Sequence, residues 1–234
     1  MKVSRTSSFK SIYVLTDKEI SKLYHIISDY CGQPKIAIHC KDQLKREYDD
    51  LDSLLAYENM KGKEITSISF ISYGKGDYSE RNVYLTFDSG EITNIYINMD
   101  GPERDMTEFN EKLNERLESA RPWYSFISKL DFIPVLSILY LSLMAIIITM
   151  SLIGIIKVVA SERSETSKSI GYFIGAIPFI VGVLFNRIKS KIFPSSSFAI
   201  NQGQKRYHNL ESFRLVILGG LFVSIIASLF LAIF

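Results

Sequence analysis

The chain has 234 residues and a formal net charge of only +2, room for one ordinary domain with a membrane segment or for two small domains. That balance hides a division: residues 1–131 hold 18 Lys/Arg against 22 Asp/Glu, and residues 132–234 hold 9 against 3. The acidic charge belongs to the first part and the apolar, basic character to the second. Cys31 and Cys40 are too few for a disulfide framework and read as reduced side chains of an unexported domain.

At the N-terminus the only apolar run is Ile12 to Leu15, far short of the roughly 7–15 residues of a secretory signal, so the first part is expected to stay in the cytoplasm. That run alternates like a strand. Thr16 then offers a helix cap, with Glu19 placed to complete a capping box. Ile20, Leu23, Ile27 and Tyr30 follow at helical spacing until Gly32 and Pro34. "KIAIHC" reads as a strand and "LDSLLAYEN" as a short helix capped by Asp52 or Ser53.

Three strands are expected at Ile65–Tyr73, Asn82–Asp88 and Thr93–Met99, with "DSGE" as a tight hairpin between the last two. A helix from Pro102 carries Met106, Phe109, Leu113 and Leu117 on one stripe. The order predicts an α+β domain over residues 1–120, a mostly antiparallel sheet with helices on one face, able to fold without a membrane.

No catalytic or metal constellation emerges. Glu47, Asp49, Asp50 and Asp52 lack the glycine-containing spacing of a calcium loop and read as a solvated turn. "GKG" at 74–76 has neither Walker spacing nor a following helix. His25, His39 and His208 make no pair at metal-ligand spacing. Neither an enzyme nor a cofactor is expected.

Residues 121–131, "RPWYSFISKLD", join the domain to the first span; Arg121, Trp123, Tyr124 and Lys129 read as an interfacial anchor. The membrane domain, 132–234, is expected to be α-helical with three transmembrane helices at about 132–160, 170–186 and 215–234. Pro178 interrupts the second. The loop 187–214 carries six Lys/Arg against Glu211 alone, which places it in the cytoplasm, on the same side as the domain. The C-terminus then lies in the periplasm. The spans lack buried Asp, Glu, His or Arg, which argues against an ion-coupled transporter. Gly171 with Gly175, and Gly220 with Ser224 and Ser228, form small-residue rows that pack helices within one chain or between copies of a homo-oligomer.

Within the loop, Lys189, Lys191, Lys205 and Arg206 are placed to meet anionic headgroups of the bilayer while Phe193, Phe198 and Ile200 dip into the interface. The same stretch could instead be a plain connector or a docking surface for the acidic domain or another protein. Nucleic acid is disfavoured, because the basic residues are few and Tyr207 is the one aromatic among them.

The stretch "FPSSSFAINQGQKRY" resembles a segment of small uncharacterised bacterial inner-membrane proteins, in which "F-P" is followed by "F-x-I-G-Q-G" and a basic pair. Phe193, Pro194, Phe198, Ile200, Gln202, Gly203, Lys205 and Arg206 match, and Asn201 stands where that pattern has glycine. In plan, a small cytosolic domain ahead of plain spans, the chain also resembles membrane effectors of bacterial anti-phage systems, including those encoded beside retrons. That resemblance implies antiviral defence, with a cytosolic protein or signal acting on residues 1–120 and a membrane part that injures the inner membrane. The alternative is a tether or scaffold that recruits a soluble partner.

Overall fold

The computed structural model describes residues 2–74, 76–90, 94–152 and 165–233, with side chains described outside 77, 147, 151–176, 225 and 231–233. In chain order, β1 (Lys2–Phe9), β2 (Tyr13–Thr16), α1 (Asp17–Cys31), β3 (Lys35–Cys40), β4 (Lys45–Tyr48) and α2 (Leu51–Leu55) come first. Then come β5 (Ile65–Tyr73), β6 (Asn82–Asp88), β7 (Ile95–Pro102), α3 (Glu103–Ser119) and the short α4 (Ser125–Lys129). The remainder is α5 (Phe132–Leu152), α6 (Glu165–Ile192), β8 (Ser196–Ala199) and α7 (Gln202–Ile233). Two compact units result: Met1–Ser125 together with Pro194–Phe234, and Phe126–Phe193.

The first unit holds an α+β N-terminal region together with the returning segment from Pro194. Its six-stranded sheet has the order β1-β7-β6-β5-β3-β4, every pairing antiparallel. Strand alternation turns Ile36, Ile38, Ile68, Phe70, Val83, Leu85, Phe87, Ile95, Ile97 and Met99 to one face, where all are buried. Ile20, Leu23 and Ile27 of α1 and Phe109, Leu113 and Leu117 of α3 join the same core. Each such side chain contributes about 1.5–3 kcal/mol when fully removed from water.

Local signals largely do what was expected of them. Thr16 caps α1, its hydroxyl accepting from the Glu19 amide at 3.3 Å. The Glu19 carboxylate meets Arg116 at 3.5 Å, linking α1 to α3. The cap of α2 is Asp50, earlier than expected; its carboxylate accepts from the Ser53 amide at 2.7 Å because Asp50 is still extended, at φ −134°.

Three features depart from the sequence reading. β1 and β4 exist as edge strands where no strand was expected. β2 leaves the main sheet and pairs in parallel with β8, from the far end of the chain. The expected loop 187–214 is the end of α6, then β8, then the first turns of α7, so the domain core draws on residues well beyond 120.

Among the described residues two helices, not three, are long and apolar enough to cross a membrane: Phe132–Met150 and Gln202–Phe230, whose apolar 18-residue stretches have mean hydropathies of 2.4 and 2.2. Segment 170–186 lies inside α6, a 28-residue helix containing Pro178 and ending in Lys189 and Lys191. Its side chains before Ile177 lie outside the described ones, as do residues 153–160 of the first expected span.

Within the second unit, the start of α5 and the end of α6 run antiparallel. Asn186 accepts from the Phe132 amide at 3.0 Å and donates to Asp131 at 2.6 Å. A Cβ on Gly182 would sit 3.0 Å from the Ile133 Cα, so that glycine permits the close approach. Lys189 donates to the Ser128 carbonyl at 3.1 Å and to that of Leu130.

Candidate functional site

The feature with most built geometry is the root of α7, where the returning chain is clasped by the sheet domain. β8 lies against β2 with Leu15 opposite Phe198 and Thr16 opposite Ala199, and the Tyr13 amide donates to the Ser195 carbonyl at 3.1 Å. Phe198 and Ile200 belong to the same core as α1 and the sheet. Tyr13 fixes the position from beneath: fully buried, it stacks edge-on with Phe87 and Phe198 and donates its hydroxyl to the Asp88 carbonyl at 2.6 Å. Burial pushes that phenol pKa far above its ordinary value.

Asn59 is the polar centre of the clasp and is fully buried. Its amide nitrogen donates to the carbonyls of Phe198 at 2.9 Å and Ile200 at 3.5 Å. Its side-chain oxygen accepts from the Ile65 amide at 3.0 Å, and its own carbonyl accepts from Arg206 at 2.7 Å. One residue therefore joins the sheet, β8 and α7. Arg206 adds an ion pair to Glu64 at 3.4 Å.

The turn into α7 explains the sequence there. Asn201 has φ +44°, the left-handed region that glycine and asparagine tolerate best, so asparagine can stand where the resembling segment has glycine. Its side chain also donates to the carbonyls of Leu55 at 2.6 Å and Tyr57 at 2.9 Å. At Gly203 an added Cβ would lie 2.4 Å from the Asn59 amide nitrogen and 2.5 Å from the Phe198 oxygen. Only glycine allows the helix to start against the clasp.

One helical stretch further on, Arg214 is fully buried. Its guanidinium lies 4.1 Å from the Tyr124 ring centroid and 5.4 Å from that of Tyr207, a cation–π arrangement strengthened by desolvation. Burial raises the Tyr124 phenol to about 12, with Arg214 pulling the other way. Exposed apolar side chains flank it, Phe213 before and Leu215 and Val216 after.

The site residues expected from sequence are thus redistributed. Phe198, Ile200 and Arg206 serve the domain rather than a lipid interface. Tyr124 is core, whereas Arg121, Trp123 and Lys129 are exposed, as are Lys191 and Lys205. Lys189 caps the α5–α6 base. Gly220 has nothing within 4 Å of an added Cβ, and Ser224 and Ser228 donate back to carbonyls four residues earlier at 2.8 Å. Gly171 and Gly175 fall in α6, their surroundings outside the described side chains. Asn59 and Arg214 were not singled out in advance; "YENMKG" carries no periodic signal, and Arg214 counts only as a loop charge until its burial is seen.

The tempting motifs of the domain have structural roles. Glu47 and Asp49 pair with Lys45 and Lys35, Asp50 caps α2, and Gly76 takes φ +59° in a turn. No group of three or more His, Cys, Asp or Glu that could hold a metal occurs among the described residues. The site is a mechanical junction between a folded domain and an apolar helix. No protein-family pattern, curated protein or solved structure matches the chain.

Proposed function

We propose that this chain is a bacterial inner-membrane effector, acting in anti-phage defence, whose cytosolic domain receives a protein or signal and controls a membrane-disrupting helical part. The observation that carries the reading is the clasp at the root of α7. A tether needs only hydrophobic length and a flexible join; here the join is β-paired, threaded through the domain core and closed by Asn59, Arg206 and Arg214. Such a join passes a change in the domain directly to the helix.

The proposed topology has three crossings, with residues 1–131 and 187–214 cytoplasmic and the C-terminus periplasmic. The antiparallel base of α5 and α6, with Asp131 beside Asn186, supports a return of the chain to the side it left. The balance of Lys and Arg supports which side that is. A reporter active only in the cytoplasm, fused after Phe234, is expected to stay silent; activity would leave two crossings.

Unrestrained expression tests the function. The native chain is expected to collapse the membrane potential, read with a voltage-sensitive dye. The Gly220→Leu, Ser224→Leu double variant is expected to insert, by fractionation, yet leave the potential intact. Gly220 faces open space among the described residues, so bulk there acts only on a contact with another helix outside the described packing. Equal collapse by both chains removes the packing mechanism, and none by either leaves a membrane tether that recruits a soluble partner.

A further inference from the structure

The two edges of the main sheet are treated differently. β4, Lys45–Tyr48, is four residues long and charged, the usual protection against pairing with another chain. β1, Lys2–Phe9, is eight residues long, is paired among the described residues only to β7 and has no proline or bulge. Its outer amides and carbonyls are a template for a further strand.

We infer that β1 is the self-association surface of this protein, pairing antiparallel with β1 of a second copy about a two-fold axis centred on Thr6. The register follows from elementary constraints. Directly opposed residues must share a sheet face, so an axis normal to the sheet has to pass through a residue, not between two. Ser4, Thr6 and Ser8 lie opposite Asp100, Asn98 and Tyr96, on the face without helices. Val3, Arg5, Ser7 and Phe9 lie on the helix face. Centring on Arg5 would oppose two guanidinium groups, which is destabilising. Centring on Ser4 or Ser7 shortens the overlap. Centring on Thr6 keeps seven opposed positions, 3 to 9, and sets the strand's two large apolar side chains, Val3 and Phe9, against each other. Lys2 then falls opposite Lys10, beyond the strand end and in solvent.

A second observation on the helix face agrees. Between the end of β1 and α3 lies an open groove of about 420 Å³, lined among others by Phe9, Glu115, Leu117 and Glu118. In this register Val3 of the second copy stands beside Phe9 at the mouth of the groove. Arg5 of the second copy comes opposite Ser7, on the face carrying Glu115; the groove's other carboxylate, Glu118, pairs with Arg121 at 3.9 Å. The result is a continuous twelve-stranded sheet with serine and threonine hydroxyls facing across the two-fold.

The inference goes beyond the effector reading and is tested apart from it, by disulfide trapping of the full chain in native membranes. Cys31 and Cys40 are buried and remain silent under mild oxidation. Opposed Cα atoms in such a ladder are about 4.5–5.5 Å apart, inside the disulfide range of about 4.4–6.8 Å. Thr6→Cys is therefore expected to give a reducible dimer. Ser4→Cys alone is expected to give none, because its copies stand four residues apart along the strand, about 13 Å. Ser4→Cys and Ser8→Cys chains carrying different tags and expressed together are expected to give the mixed dimer. Absence of the Thr6→Cys dimer overturns the inference, and so does equal trapping at Ser4 and Thr6, which would report collision or another partner on the edge. None of these outcomes depends on whether the chain injures the membrane.

Discussion

Replacing Asn59 by leucine is the sharpest perturbation of the clasp, because the new side chain is similar in size but cannot hydrogen-bond. It strips partners from the Ile65 amide and the Phe198 carbonyl, now held at 3.0 Å and 2.9 Å. A buried group left unsatisfied costs about 1–3 kcal/mol. Leucine must also take the left-handed φ of +49°, at roughly 1–2 kcal/mol. The sum, about 4 kcal/mol, makes opening of the clasp roughly a thousandfold more favourable. Trypsin reads this locally, since Lys205 and Arg206 stand in the first turns of α7 and are cut only when those turns unwind. Where reclosing outpaces cleavage, the rate follows the open population. Cleavage at 205–206 in the full, detergent-solubilised chain should rise by that order while cleavage at Arg81 stays unchanged. A rate within about threefold of native, in the regime where cleavage tracks opening, would refute the placing of Asn59 at the centre of the junction.

The same chemistry sets the other expectations. A fragment of residues 1–125 lacks Phe198 and Ile200, each worth about 1.5–3 kcal/mol buried, so it should unfold at lower denaturant, and a peptide of residues 194–214 should restore it; no gain from the peptide would remove β8 from the core. At Asn201, glycine keeps the left-handed turn and loses only the side-chain hydrogen bonds to the Leu55 and Tyr57 carbonyls, about 0.5–1.5 kcal/mol each. Valine loses the same bonds and adds a strain of roughly 1–2 kcal/mol, so trypsin cleavage should be about tenfold faster in the valine variant than in the glycine one. Burial raises the phenols of Tyr30 and Tyr124 to about 12, from about 10 in an unfolded chain. Their contribution is complete below pH 10 and is lost as pH climbs towards 12, so thermal melts should fall steeply across that window. A flat melting temperature there would contradict the burial of these rings.

What the sequence revealed followed from which residues have a buried side. β5 and β6 were legible to the residue because Val83, Leu85 and Phe87 face a core, and α1 because Thr16 and the stripe from Ile20 agree. β1 and β4 were not, since an edge strand of "KVSRTSSF" or "KREY" owes its pairing to backbone groups that leave no side-chain periodicity. α7 was seen only from Leu215, because hydropathy reports the apolar part of a helix and is silent about the polar turns before it. Phe198 and Ile200 looked like residues for a lipid interface; nothing local says that the apolar surface they meet is Tyr13 and Leu15, far away in sequence.

The segment from Phe193 to Arg206 can now be read as a set of physical requirements. Phe198 and Ile200 are plugs for the domain core, position 201 needs the left-handed region, Gly203 needs the absence of a Cβ, and Arg206 needs the Asn59 carbonyl. Beyond it, residues 204–218 contain neither glycine nor proline, the usual causes of a kink. The first points where α7 can bend easily are Gly219 and Gly220, several residues past the start of its exposed apolar surface at Phe213. The first half of α7 is therefore a continuous extension of the domain. On the effector reading proposed above, a change at the sheet would reach the apolar part of the helix without being absorbed by a kink on the way.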